Sequence, residues 1–245
     1  MIRDLLVTRV PAFADEQQSG ISPVMRRDRI WFEDPLRIVP RVLTSLYSHW
    51  VGLTYPFASI GRGVSIHYTW DFRKYLARRV VLGNWVLIRK DVHFGISCTD
   101  ATEKGSPVII IDDNCAIHRR VQISARNRIH LEQGVILSAS VLVMDHNHEF
   151  KDITRPIREQ GITEGGTIRI EQGCWIGHGA AIVCGTGELV LGRNCVVGAN
   201  AVVTKSYPPN SVIVGNPARV IRQFDPIKKA WLPGANTSRA ETGKA

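Results

Sequence analysis

Residues 111–143 read IDDNCAIHRRVQISARNRIHLEQGVILSASVLV, and an aliphatic residue returns at every sixth position, at Ile111, Ile117 and Ile123 and again at Leu131, Leu137 and Val143. The same spacing joins Leu82, Ile88 and Phe94 upstream, and Ile170, Ile176 and Ile182, then Leu191, Val197 and Val203, downstream. A fixed short period marks a solenoid, because one repeat cannot bury its own apolar side chain and must stack on its neighbour. Taken in threes, the hexads make coils with a short strand on each flat side and a turn between, which predicts an all-β, triangular parallel β-helix. Glycine follows the aliphatic at Gly83, Gly177, Gly192 and Gly198. That placement predicts tight corners built on backbone angles that other residues resist.

The 245 residues, 44% of them hydrophobic, suffice for one sizeable core, and the uninterrupted stacking predicts a single domain with appendages. Cys98, Cys115, Cys174, Cys184 and Cys195 form an odd set without a CxxC pair. Most sit on hexad positions, where they read as reduced, packed thiols. Arg3 and Asp4 interrupt the opening run, so neither a secretory leader nor a membrane span is expected, and the predicted compartment is the cytoplasm. Residues 34–50 form the one convincing helix: Asp34 suits a cap, Pro35 a first turn, and Leu36, Val39, Val42, Leu43, Leu46, Tyr47 and Trp50 share a face. That face is predicted to lie against the first coil, with a membrane surface or a partner helix as the other reading. The expected division is an extension over 1–57, the solenoid over 58–224 and a polar tail over 225–245.

Lys plus Arg number 31 against 22 for Asp plus Glu, a net charge of +9, which favours anionic partners. The cations are scattered, and no aromatic-interleaved patch or helical reading motif points to nucleic acid. A phosphorylated small molecule accounts for the charge more economically.

Function is expected where the beat breaks. After Val143 the next aliphatic would be residue 149, yet the beat resumes at Ile170, so 21 extra residues leave the solenoid. This excursion, within 144–169, opens with Asp145, His146, Asn147 and His148 and is the candidate functional loop. A smaller excursion covers Thr186 to Glu188, and a third break, 95–110, reads as a surface loop. A loop-borne histidine, with an ordinary pKa of about 6.5, is a natural general base for a hydroxyl or amine. Asp145 is disfavoured as its orienting carboxylate, since adjacent residues in an extended chain point to opposite sides.

The hexads, with CWIGHGAAI (174–182), VVGANAVVTKSYPPNSV (196–212) and VGNPARVIR (214–222), resemble the hexapeptide-repeat acetyltransferases. DHNHEFKD (145–152) followed by RPIREQG (155–161) is similar to the branch that O-acetylates sugars and polysaccharides. The resemblance implies that the parallel β-helix is left-handed, beside the N-terminal helical segment and short C-terminal extension read above. It also implies acetyl-CoA as donor, no metal, and a homotrimer with its sites between neighbouring subunits. It puts the general base at His148 first and His146 second, and makes the reaction a direct attack of the acceptor hydroxyl on the thioester. Donor contacts carry over onto Trp175, His178, Ala199, Thr204, Lys205, Arg219 and Arg222, the last two and Lys205 as phosphate-binding cations. His118 stands where the family has an asparagine, and Arg126 where it has an acid, so these two are candidates for the acceptor.

Three other readings compete. An amino sugar would meet the same base as an N-acetylation acceptor. A metalloenzyme resembling the γ-carbonic anhydrases uses the same solenoid, but His118, His130, His146, His148 and His178 lack the five-residue spacing of its ligands. A non-enzymatic scaffold would have no use for Lys205, Arg219, Arg222 and the histidine loop together.

Overall fold

The computed structural model describes residues 38–97 and 106–234. Asp34, Pro35, Leu36, Cys98 and the tail beyond Gly234 lie outside them. Apart from Ile38, the described residues belong to one unit, Val39–Ala245.

Strands of only two to seven residues are arranged in three sheets. The first holds Ser59–Ile60, Val80–Leu82, Ile109–Ile111, Arg128–Leu131, Gly165–Ile170 and Thr186–Leu191; the third holds His93–Ile96, Gln122–Ala125, Leu142–Met144, Ala181–Val183 and Val202–Val203. The second runs from Ser65–Ile66 through Leu87–Ile88, Ala116–Ile117, Ile136–Leu137, Trp175–Ile176 and Val196–Val197 to Ser211–Val214. Two antiparallel strands, Arg219–Asp225 and Ala230–Pro233, extend it. All other pairings within the three sheets are parallel, and the chain visits the first, second and third sheets in rotation.

The six-residue beat sets the register. In the third sheet Phe94, Ile123, Val143, Ile182 and Val203 are successive cross-strand partners. All fifteen beat residues are buried, and so is a second set two positions earlier, which includes Val80, Val86 and Val92 in one turn and Ile129, Val135 and Val141 in another. Cys115, Cys174 and Cys195 occupy that second position, and with Cys184 they are buried and free of disulfides. Burial pushes the Cys115 thiol up to about 12, so it stays protonated and unreactive. One further turn precedes the beat as read from sequence: Ile66 and Phe72 are buried ahead of Val80, and Ile60 packs against the core. A 3-10 helix, Lys74–Arg79, separates that turn from the rest and hides the period.

The corner glycines act differently from expectation. None of Gly83, Gly177, Gly192 and Gly198 adopts positive φ; that conformation falls two residues later, at Trp85, Gly179, Asn194 and Asn200. What these glycines supply is room. A Cβ on Gly177 would stand 2.7 Å from the Ala199 nitrogen and 2.7 Å from the Val197 carbonyl oxygen of the next turn. Gly177→Ala must therefore push two turns apart, and we expect it to cost about 1–3 kcal/mol, as overpacking a tight contact does. Chemical denaturation would measure it.

The helix runs Ile38–Thr54, four residues beyond the predicted end, and of the described residues on the face predicted to meet the first coil Tyr47 alone packs against the core. Ser48 and Val51 face the sheets: Ser48 Oγ accepts the Ile66 N–H at 2.8 Å and lies 3.0 Å from the Ile66 carbonyl, and Val51 is fully buried. This polar clamp covers the edge of the second sheet. It turns Val39, Val42, Leu43, Leu46 and Trp50 outward, where all are exposed. Among the described residues, no helix is long and apolar enough to cross a membrane.

Candidate active site

The strand Leu142–Met144 lies at the centre of the third sheet, and the long excursion begins where it stops. Asp145 keeps the inward direction of its predecessor Val143 and is wholly buried. One carboxylate oxygen accepts the Arg126 N–H at 2.7 Å, and the other accepts those of Asn127 and Arg128 at 2.9 and 3.0 Å. Three amide donors from the preceding turn's corner thus meet a charge that would otherwise be costly to bury.

The first of those oxygens also lies 3.0 Å from His146 Nδ1. The alternation that argued against this pair holds only inside a strand; the backbone bends at Asp145, and the two side chains converge. A carboxylate can only accept, so the Nδ1 position carries the proton, and in the neutral ring Nε2 has the lone pair. Nε2 stands 3.2 Å from Ser97 Oγ, two turns back in the same sheet. His146 as a whole is 6% exposed and its side chain 8%.

The excursion is pinched at its neck. The Gly166 N–H donates to the Asp145 carbonyl at 2.6 Å, and the Asn127 amide donates to the Glu164 and Gly166 carbonyls at 2.8 and 3.2 Å. Gly165 has φ +76°, and a Cβ there would stand 2.7 Å from the Asp145 carbonyl oxygen and 3.2 Å from His146 Cβ. Within the loop, the Thr163 N–H donates to the Asn147 carbonyl at 2.8 Å, and His148 forms an antiparallel bridge with Ile162. His148 is exposed on this ribbon, whereas His146 is buried.

The predicted donor residues fall into two groups. Trp175 is half exposed and donates its indole N–H to Ser138 Oγ at 2.9 Å, while His178 and Ala199 occupy stacked corners leading into the third sheet, joined by the Asn200 N–H to the His178 carbonyl at 2.8 Å. Thr204 and Lys205 follow the last third-sheet strand, at the end where the preceding strands stop at Ile96, Ala125, Met144 and Val183. Lys205 Nζ lies 5.8 Å from the centre of the Tyr207 ring, whose hydroxyl donates to the Ala218 carbonyl. Burial raises the Tyr207 pKa, and the nearby Arg219 charge works against that rise. Arg219 and Arg222 are exposed on the antiparallel strand, opposite Val214 and Val212.

The two acceptor candidates separate. Arg126 is half-buried and its N–H is one of the donors to Asp145. His118 lies at the other end of the third-sheet strands, where burial, and secondarily the Arg89 charge, lower its pKa and keep its imidazole neutral. Sequence reasoning missed Ser97 and Asn127. Ser97 stands at the start of the break read as a surface loop, and only the spatial return of the chain brings it to His146. Among the described residues, no group of three or more His, Cys, Asp or Glu side chains is placed to hold a metal ion.

No family model matches the chain. It is 31% identical over 186 residues to a Mycobacterium tuberculosis protein named as an acetyltransferase, Rv3034c, covering 76% of this chain and 55% of that one. It is 30% identical over 133 residues to an Escherichia coli protein named as a lipopolysaccharide biosynthesis O-acetyl transferase, WbbJ, covering 52% and 66%. The chain thus spans between about half and two thirds of the length of these curated relatives. Among solved structures it resembles AntD, an N-acyltransferase from Bacillus cereus in complex with dTDP and 3-hydroxybutyryl-CoA, with TM-score 0.58 and 19% identity over 71% of this chain and 86% of that one. A likeness at that identity is one of fold. The chain is thus similar to proteins named as acetyltransferases, and its core residues at a six-residue beat in three rotating sheets fit the hexapeptide-repeat resemblance that its sequence carries.

Proposed function

We propose that the protein transfers the acetyl group of acetyl-CoA to a hydroxyl of a sugar or polysaccharide precursor, with His146 as general base. The winding is read as left-handed and the assembly as a trimer, with the cytoplasm as the compartment. The observation that carries the reading is the Asp145–His146–Ser97 array. A buried carboxylate holds Nδ1–H at 3.0 Å, and a hydroxyl oxygen already stands 3.2 Å from Nε2, the place an acceptor hydroxyl must take. His148 has neither support, so it becomes the second candidate rather than the first.

In the reaction, Nε2 takes the acceptor hydroxyl proton as the oxygen attacks the thioester carbonyl carbon. The tetrahedral intermediate then collapses, the carbon–sulfur bond breaks, and the imidazolium returns the proton to the departing thiolate. Asp145 stabilises the imidazolium between those steps, and no covalent acyl-enzyme forms.

Along the third sheet, the outward side chains between His178 and Thr204 are Ala181, Val183 and Val202, a flat strip suited to the pantetheine arm. Trp175, His178 and Ala199 flank its start and Thr204 its end. Lys205 and Arg219 converge on Tyr207, and these two, with Arg222, are read as the phosphate-binding cations. Lys205→Ala and Arg219→Ala should each raise the Michaelis constant for acetyl-CoA several-fold with little change in kcat, since one charge-assisted bond contributes about 1.5–3 kcal/mol. An unchanged constant in both variants would remove the donor assignment.

Support for an oxygen acceptor comes from the name of WbbJ. AntD is an N-acyltransferase, but its likeness is of fold and does not choose the acceptor atom. A screen of free-thiol release from acetyl-CoA against nucleotide sugars, amino sugars and oligosaccharides decides between them, with thiol release in no case overturning the proposal.

A further inference from the structure

The outward helix face is larger than one turn. Ile38, Val39, Val42, Leu43, Leu46, Trp50 and Leu53 are 44 to 74% exposed on the side of the helix away from Ser48 and Val51, with Trp50 also meeting the Tyr47 and Tyr55 rings. Such an area is rarely left to water.

Charge singles out the same end of the molecule. From Ile38 to Lys90 the sequence has eight Lys and Arg and one acid, Asp71, so most of the chain's excess of +9 is concentrated there. Asp71 is itself engaged with His93 Nδ1 at 2.8 Å. The cations adjoin the apolar face directly: the Trp50 ring is 5.8 Å from that of Tyr55, and Lys74 Nζ is 5.9 Å from the Tyr55 ring centre. Arg73 donates to the hydroxyl of the exposed Tyr75 at 3.3 Å, and Arg78 is exposed on the same short helix.

We propose that this face docks on an anionic lipid bilayer, with the helix lying in the surface plane and Lys74, Arg73 and Arg78 on the headgroups. An interfacial helix needs an apolar stripe, aromatic margins and flanking cations, and all three are present here. A second copy of the chain fits less well, because a self-complementary contact would bring two basic ends together with no acid between them.

The test is co-sedimentation of the full chain with vesicles of phosphatidylcholine, alone or mixed with phosphatidylglycerol. Binding to the mixed vesicles, weak binding to the neutral ones and loss at high salt are expected. Leu46→Glu/Leu53→Glu and Lys74→Glu/Arg78→Glu should each weaken binding at least about tenfold, given the strength of apolar insertion and of each surface cation. Both pairs are exposed, so the thermal midpoint and the rate of thiol release should be kept. The proposal is overturned if the wild-type chain ignores anionic vesicles or if both double variants bind as it does. It is equally overturned if Leu46→Glu/Leu53→Glu lowers the oligomeric mass in sedimentation velocity, which would make a second copy the occupant.

Discussion

His146→Ala is expected to lower turnover roughly a hundredfold or more, the usual contribution of a positioned general base, while acetyl-CoA binding stays nearly intact. The donor side is held by other turns, so direct titration of coenzyme A should separate loss of chemistry from loss of the site. His148→Ala should cost far less, because that residue is exposed on the ribbon, whereas His146 is buried. Ser97→Ala in the same assay would keep substantial activity, since the acceptor itself replaces the serine hydroxyl at Nε2. If the His148 variant is dead and the His146 variant active, the assignment of the base is reversed. Full activity of both variants with a proven acceptor removes histidine-base catalysis altogether.

Asp145→Ala should be the most damaging single change to the fold. It strands the N–H groups of Arg126, Asn127 and Arg128 at a part-buried corner and frees the ring of His146. With each orphaned donor costing about 1–3 kcal/mol, partly relieved by water, the loss of stability should be roughly 3–5 kcal/mol in a denaturant titration. Asp145→Asn separates two roles. Its one carbonyl oxygen still accepts some of the corner amides, so part of the stability returns. Its amide offers only a neutral dipole to Nδ1, so turnover should remain low. A thermal midpoint for Asp145→Ala equal to that of the parent chain would show that the buried carboxylate does not hold the corner.

Most of the winding was legible from the beat, because each aliphatic at the sixth position has a partner in the next turn and no other place to go. The turn at Ile60, Ile66 and Phe72 escaped because Lys74–Arg79 interrupts the count. The corner glycines were recognised for the wrong reason: Gly177 is demanded by the closeness of Ala199, a contact between turns that no local rule contains. The helix face was visible from the spacing of Val39, Leu43, Leu46 and Trp50, but not its direction. That was decided by one hydroxyl, Ser48, with a sheet edge to satisfy. At the proposed site, the chain does leave the solenoid after Val143, but the rule of alternation misjudged how Asp145 and His146 sit together. Alternation describes strands, and this strand had already ended. Ser97 could not be found at all from spacing, since it lies 49 residues from His146 in the chain.

The neck of the excursion has a consequence for how such proteins diversify. The chain leaves at Asp145 and is back beside it at Gly166, joined by one hydrogen bond, while Leu142, Val143 and Met144 pair directly with Ala181, Ile182 and Val183 of the next turn. Between Asn147 and Glu164 the ribbon carries none of the stacking register, which resumes at Gly165 opposite Thr186. It can be lengthened, shortened or exchanged like a cartridge, with the imidazole left clamped at the socket, so a new acceptor could be acquired by replacing one surface segment without re-solving the problem of folding.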